Sequence, residues 1–113
     1  MRVASEAVLL RIFVGEEDRH AGHALCEALV TTALDRKMAG ATVLYAPEGF
    51  GRSRYVRSEL NVDSGSRLPM VVEIVDSQDQ IDRFLPILEE MVESGLVTLE
   101  KVRAIRYCRA GPP

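Results

Sequence analysis

His20, His23 and Cys26 are the residues whose types first suggest chemistry, because imidazole nitrogen and thiolate are the usual ligands of zinc and its neighbours. Spacings of three and three would spread these side chains over about 120° of a helix. Gly22 and the acidic stretch before it place His20 ahead of any helix, so the pattern predicts a surface histidine pair beside a core-facing cysteine, and no metal centre. Cys26 and Cys108 are too few and too far apart for a disulfide framework or a zinc knuckle, and reduced thiols are expected. A second chemical signal is charge. Residues 49–67 carry Arg52, Arg54, Arg57 and Arg67 against Glu59 and Asp63, a net +2, and residues 101–109 carry Lys101, Arg103, Arg106 and Arg109 with no acid, a net +4. The whole chain is −3, so positive charge is gathered in two short segments of an otherwise acidic protein. That distribution suits a small anionic ligand better than a long polyanion, although two solvated basic faces would read the same way. Neither a nucleophile–base pair, nor a Walker-type phosphate loop, nor a carboxylate pair with an obvious site is present, and the chain is not expected to be an enzyme.

The elements that must position these residues fit within one domain spanning residues 1–113, since 113 residues split in two would leave pieces too small to bury a core. With 47% hydrophobic and 27% charged residues of mixed sign, the composition is that of a folding chain. No apolar run approaches the roughly 18 to 20 residues needed to span a bilayer, and residues 1–7 lack the layout of a signal peptide, so a cytoplasmic protein without membrane insertion is expected. The acidic total argues against nucleic acid as a partner.

Val8–Val14 is a β-branched and aromatic run ended by Gly15 and reads as a strand. Residues 16–22 read as a loop. Leu25, Leu29 and Ala33 recur at helical spacing between His23 and Met38, with Gly40 beyond. A second strand covers Ala41–Ala46. The long stretch that follows, with its loop at 49–67, has no sustained period, which in so small a domain marks a functional segment; extended pieces near Tyr55-Val56 and Leu60-Val62 suggest a projecting hairpin. Met70–Val75 is a third strand. Ser77-x-x-Gln80 has the form of a capping box, followed by Ile81, Phe84, Leu85, Leu88, Met91 and Val92 on one helical face up to Gly95. Pro86 lies well inside that helix. The last strand, Val97–Tyr107, shows its apolar set slipping from Val97 and Leu99 to Val102 and Ala104, which predicts a bulge. Residues 109–113 read as a flexible tail, leaving a core of 8–107.

The order strand, helix, strand, strand, helix, strand is the ferredoxin-like βαββαβ plan of the α+β class: an antiparallel sheet with two helices on one face. Both faces of the first and third strands are apolar, yet helices can cover only one. The other face is therefore expected to be buried by further copies of the chain. Arg11 and Glu73, the lone charges of their strands, are expected to pair across them.

Gly40-Ala41-Thr42-Val43, Gly49-Phe50-Gly51-Arg52 and Leu68-Pro69 leading to Glu73-Ile74-Val75 resemble stretches of the PII nitrogen-regulatory signal proteins. From Leu10-Arg11-Ile12-Phe13 through Phe84-Leu85-Pro86 to Gly95–Val102 the chain more closely resembles the uncharacterised PII-like family known as domain of unknown function one hundred and ninety. The resemblance covers about residues 8–107. It implies a homotrimer with inward-facing sheets, adenine-nucleotide binding in the clefts between subunits, and a signalling loop at 49–67 that controls a partner such as a membrane transporter or an enzyme.

Carried over by residue, the resemblance sets Thr42, Glu73 and Val75 near the adenine edge. Gly49, Phe50, Gly51 and Arg52 form the loop base against the phosphates, where glycines let backbone amides close on an anion and arginine supplies a forked donor. Arg103 and Arg106 correspond to the basic pair that neutralises phosphate. The chain departs from the PII pattern in having only Gly95 and Leu96 where a Gly-Asp-Gly-Lys loop would hold phosphates, and Ser53 where a glutamine would help hold magnesium and 2-oxoglutarate. Tyr55 is not equated with the modified tyrosine of some PII proteins. AMP, ADP and ATP all stay open as effectors, and no cofactor is required. The alternative reading is a divalent-metal tolerance protein of the same trimeric fold, with His20, His23 and Cys26 as ligands.

Overall fold

The structure, a computed structural model, describes residues 2–45, 48–49, 57–58 and 69–109. Its principal sheet is built from β1 (Arg2–Gly15), β4 (Thr42–Tyr45), β7 (Pro69–Asp76) and β8 (Leu96–Tyr107), in the spatial order β4-β7-β1-β8 with every neighbour antiparallel. Two helices, α1 (Leu25–Asp35) and α2 (Gln78–Met91), follow β1 and β7 in the chain. This is the ferredoxin-like topology expected from the order of elements. Two-residue strands make up the rest: β2 (Arg19–His20) pairs with β3 (His23–Ala24), and β5 (Glu48–Gly49) pairs with β6 (Arg57–Ser58).

The core follows from the pleat, in which alternate side chains share a face. Leu10, Ile12 and Val14 of β1 and Met70, Val72 and Ile74 of β7 face one way. They are buried with Leu25, Leu29 and Ala33 of α1 and Ile81, Phe84, Leu88 and Met91 of α2. Both helices thus cover the same face. Ser77 caps α2 by accepting a hydrogen bond from the Gln80 backbone N–H at 3.3 Å, as the Ser-x-x-Gln pattern predicts. Pro86 lies inside α2 and is exposed. Gly95, just before β8, passes so close to β1 that an added Cβ would lie 3.0 Å from the Phe13 carbonyl oxygen. Any larger residue would push the two strands apart.

Three expectations change. The segment 16–22 is not simply a loop, because Ala21 and Gly22, both at positive φ (50° and 83°), turn the chain between β2 and β3. This is the backbone that a two-residue hairpin requires. Its base is tied by Asp18, whose Oδ2 accepts from the Gly15 N–H at 2.9 Å and whose carbonyl accepts from the Leu25 N–H at 2.8 Å. The first strand begins at Arg2 rather than Val8. Finally, β8 contains no bulge: it pairs with β1 in one unbroken register from Phe13↔Leu96 to Arg2↔Tyr107. The apolar set of β8 changes face along a strand that stays in register. Val97 and Leu99 share the face of Ile12 and Leu10, and Val102 and Ala104 the opposite one, with no break in the pairing between them. The loop at 49–67 lies outside the described residues except for Gly49, Arg57 and Ser58, as do the extended pieces near Tyr55-Val56 and Leu60-Val62 and the tail from residue 110.

Candidate functional site

The face of the sheet away from the helices carries Val3, Leu9 and Phe13 of β1, Leu44 of β4, Val71 and Val75 of β7 and Leu96 of β8, as the pairing registers dictate. Phe13, Leu44, Val75 and Leu96 are 37%, 46%, 40% and 59% exposed, an open apolar surface of the kind that marks an interaction site. One polar row crosses it. Thr42 stands opposite Glu73, Glu73 opposite Arg11, and Arg11 opposite Thr98, so four residues on four strands line up at one level. Arg11 Nε donates to Glu73 Oε2 at 2.8 Å, the pairing predicted from the sequence, and its Nη1 lies 3.5 Å from Glu100 Oε2. The hydrogen bond that Arg11 donates to Glu73, with the nearby negative charges of Glu73 and Glu100 adding to it, pushes the Arg11 pKa up against a smaller opposing effect of desolvation. The guanidinium therefore stays charged throughout the working pH range.

The structure brings Thr42, Glu73 and Val75 together at this row: Thr42 and Glu73 are cross-strand partners, and Val75 is two residues on along the same face of β7. It does not bring the basic residues there. Beyond Val8 and Lys101, β1 and β8 run on as a two-stranded arm that no other strand among the described residues joins, since β7 pairs with β1 only from Val8 to Gly15. Arg103 sits opposite Glu6 and Arg106 opposite Val3, both exposed on that arm. Val3 is eight residues from Arg11, which at about 3.3 Å per residue separates Arg106 from the polar row by about 26 Å along the strands. Of the loop base, Gly49 pairs in backbone with Arg57, while Phe50, Gly51 and Arg52 lie outside the described residues.

His20 and His23 face each other across the β2–β3 hairpin, and Cys26 is buried in the first turn of α1. Among the described residues no group of three or more His, Cys, Asp or Glu side chains is arranged to hold a metal ion. A groove of about 670 Å³, unforeseen in the sequence, lies between α1 and the edge strand β4, with Val30, Val43 and Met70 as its floor and His23, Glu27 and Tyr45 at its rim. The arm too was missed, although Val3, Ser5 and Ala7 already alternate with Arg2, Ala4 and Glu6 as a strand would. No described helix is long and apolar enough to cross a membrane.

Comparison with known proteins gives a family and a fold. The sequence model of the family DUF190, described as "Uncharacterized ACR, COG1993", matches residues 7–104. A UPF0166 protein of Aquifex aeolicus is 38% identical over 105 residues, covering 93% of this chain and 98% of the relative. A UPF0166 protein of Methanocaldococcus jannaschii is 29% identical over 98 residues, covering 83% and 87%. Among solved structures, the chain resembles CPII, a nitrogen regulatory PII-like protein from Thiomonas intermedia K12 bound to ADP, AMP and bicarbonate. The TM-score is 0.60 at 12% identity, with 90% of this chain and 91% of that one covered. A second structure of CPII, bound to ADP and bicarbonate, gives a TM-score of 0.57 at 15% identity. At such identity the likeness speaks for the fold, and with the match over 7–104 the conclusion is that the chain belongs to the DUF190 family and has a PII-like fold.

Proposed function

We propose that this protein is a PII-like regulatory binding protein and not an enzyme. It assembles as a homotrimer through the open sheet face, takes an adenine nucleotide into the clefts between subunits, and controls a partner through the segment 49–67. In this reading Thr42, Glu73 and Val75 meet the base, Gly49, Phe50, Gly51 and Arg52 meet the phosphates, and Arg103 and Arg106 add positive charge from a neighbouring subunit. The carrying observation is the separation of parts within one chain. The residues assigned to the base and to the phosphates share a sheet, but Arg103 stands about 17 Å and Arg106 about 26 Å along the strands from the polar row, so in this reading the site draws on two chains. The nucleotides in the CPII structures support the choice of ligand class. A ligand that binds one arrangement of 49–67 better than another shifts its population, which is all that regulation requires.

Calorimetry of the full chain with AMP, ADP and ATP tests this. Binding of at least one nucleotide is expected, weakened about tenfold or more by Arg106→Ala and by Arg52→Ala, since each removes a charge-assisted hydrogen bond to phosphate. Absence of heat with all three nucleotides at millimolar concentration would reject the reading.

A further inference from the structure

The chain has two histidines, His20 and His23, and the structure sets them opposite each other. They close the turn of Ala21 and Gly22 as cross-strand partners, so their side chains leave one face of the β2–β3 ribbon from Cβ atoms about 5 Å apart. Imidazole nitrogens bind a late transition ion at about 2 Å, and two rings rooted this close can reach a single ion. His20 is partly buried and His23 is exposed, and among the described residues neither imidazole is engaged in a hydrogen bond or an ion pair. Both rings are left with their nitrogens to offer.

We propose that His20 and His23 form a two-nitrogen chelate for a divalent late first-row transition cation, with water completing the coordination. Three observations carry this. The pair is held in place before any ion arrives: Ala21 and Gly22, at φ 50° and 83°, fix the turn, and Asp18 ties its base to the Gly15 and Leu25 N–H groups at 2.9 and 2.8 Å. Binding then has little left to order. The donors are two imidazoles with no carboxylate in the set, which suits copper, nickel and zinc and not magnesium or calcium. The local field favours a cation as well, because Glu16, Glu17 and Asp18 precede His20 and Glu27 shares the rim of the groove with His23. Arg19, the one base nearby in sequence, stands on the other face of the ribbon, since neighbours along a strand alternate.

This differs from a centre built on His20, His23 and Cys26 together. Cys26 is buried in the first turn of α1, and among the described residues no group of three or more such side chains is arranged around one ion. Two donors make a reversible site that fills and empties with the supply of free metal, and do not make a permanent structural centre. When filled, the ion joins β2 to β3 across their open end and stabilises the hairpin that leads from β1 into α1, by mass action. The proposal uses neither the open sheet face nor a nucleotide, so it stands or falls apart from the function proposed above.

Calorimetry of the full, untagged chain with nickel(II) and zinc(II) chloride tests it. One ion per chain is expected, with no heat from magnesium. His20→Ala and His23→Ala should each weaken nickel binding about a hundredfold, because either loss turns a chelate into a single ligand. The double variant should fall little further than either single one, the mark of two donors acting as a unit. Cys26→Ser should leave the affinity unchanged. Since the chain has only two histidines, proton NMR follows both rings, and substoichiometric nickel should broaden their signals together. Circular dichroism reports whether each variant is folded, and His20→Gln and His23→Gln replace any that is not. Absence of nickel heat at millimolar concentration, small and additive losses in the single variants, undiminished binding in the double variant, or a loss in Cys26→Ser would each overturn the chelate.

Discussion

The same two strands, β1 and β8, live in two different surroundings. From Val8 to Gly15, β1 is flanked by β7 and covered by both helices, and Leu10 and Ile12 are fully buried. From Arg2 to Glu6 it keeps the same register with β8, but every side chain is exposed. Backbone pairing alone therefore carries the ribbon outward without adding a core. Since net stability comes mainly from apolar burial and an isolated two-stranded ribbon is marginal in water, the body holds the fold and the arm has surface to offer.

That contrast is open to attack at several strengths. Leu10→Ala should cost about 2 to 5 kcal/mol in urea unfolding of dilute protein, because a fully buried side chain leaves both a lost transfer energy and a cavity. Val3→Ala, on the arm, should change stability by less than about 0.5 kcal/mol. A comparable loss at both positions would mean that the arm is packed by something in the dilute state. Ser77→Ala, which removes the cap of the helix that covers the body, should cost about 1 kcal/mol in the same assay. The smallest effect concerns pH. The raised Arg11 pKa contributes stability that is present below the ordinary arginine range and lost only as pH rises through the raised value. The difference in unfolding midpoint between the wild type and Arg11→Met should then stay constant from about pH 6 to about pH 9. A drift across that window would show that another group titrates against the pair.

Much of the body was legible from residues alone. The alternation in Val8–Val14 and Met70–Val75, the capped period from Ser77 to Met91 and the order of elements lead to the observed topology. The Arg11–Glu73 pair was readable because each is the lone charge of its apolar run and the two strands are neighbours in this topology. The misreading of β8 has a definite cause. A change of apolar face marks a bulge only when the pairing shifts with it, and the register of β8 on β1 is unbroken although most of β8 is exposed. The hairpin of β2 and β3 was overlooked because two-residue strands carry no period, although Gly22 marked the turn.

For the site the division is sharper. Thr42, Glu73 and Val75 were named through a resemblance, and the register of β4 on β7 sets them side by side. The distance from them to Arg103 and Arg106 was hidden, because strand pairing, not chain order, decides how far apart two residues stand. The amino-acid order by itself determined the local elements, their sequence and the presence of two greasy sheet faces, since these depend on periodicities of two and 3.6 along the chain. Only the tertiary structure decided which face the helices cover, that an arm extends beyond them, and that an open groove and a basic arm sit on opposite edges. Those features arise from contacts between residues remote in sequence, which no local pattern records.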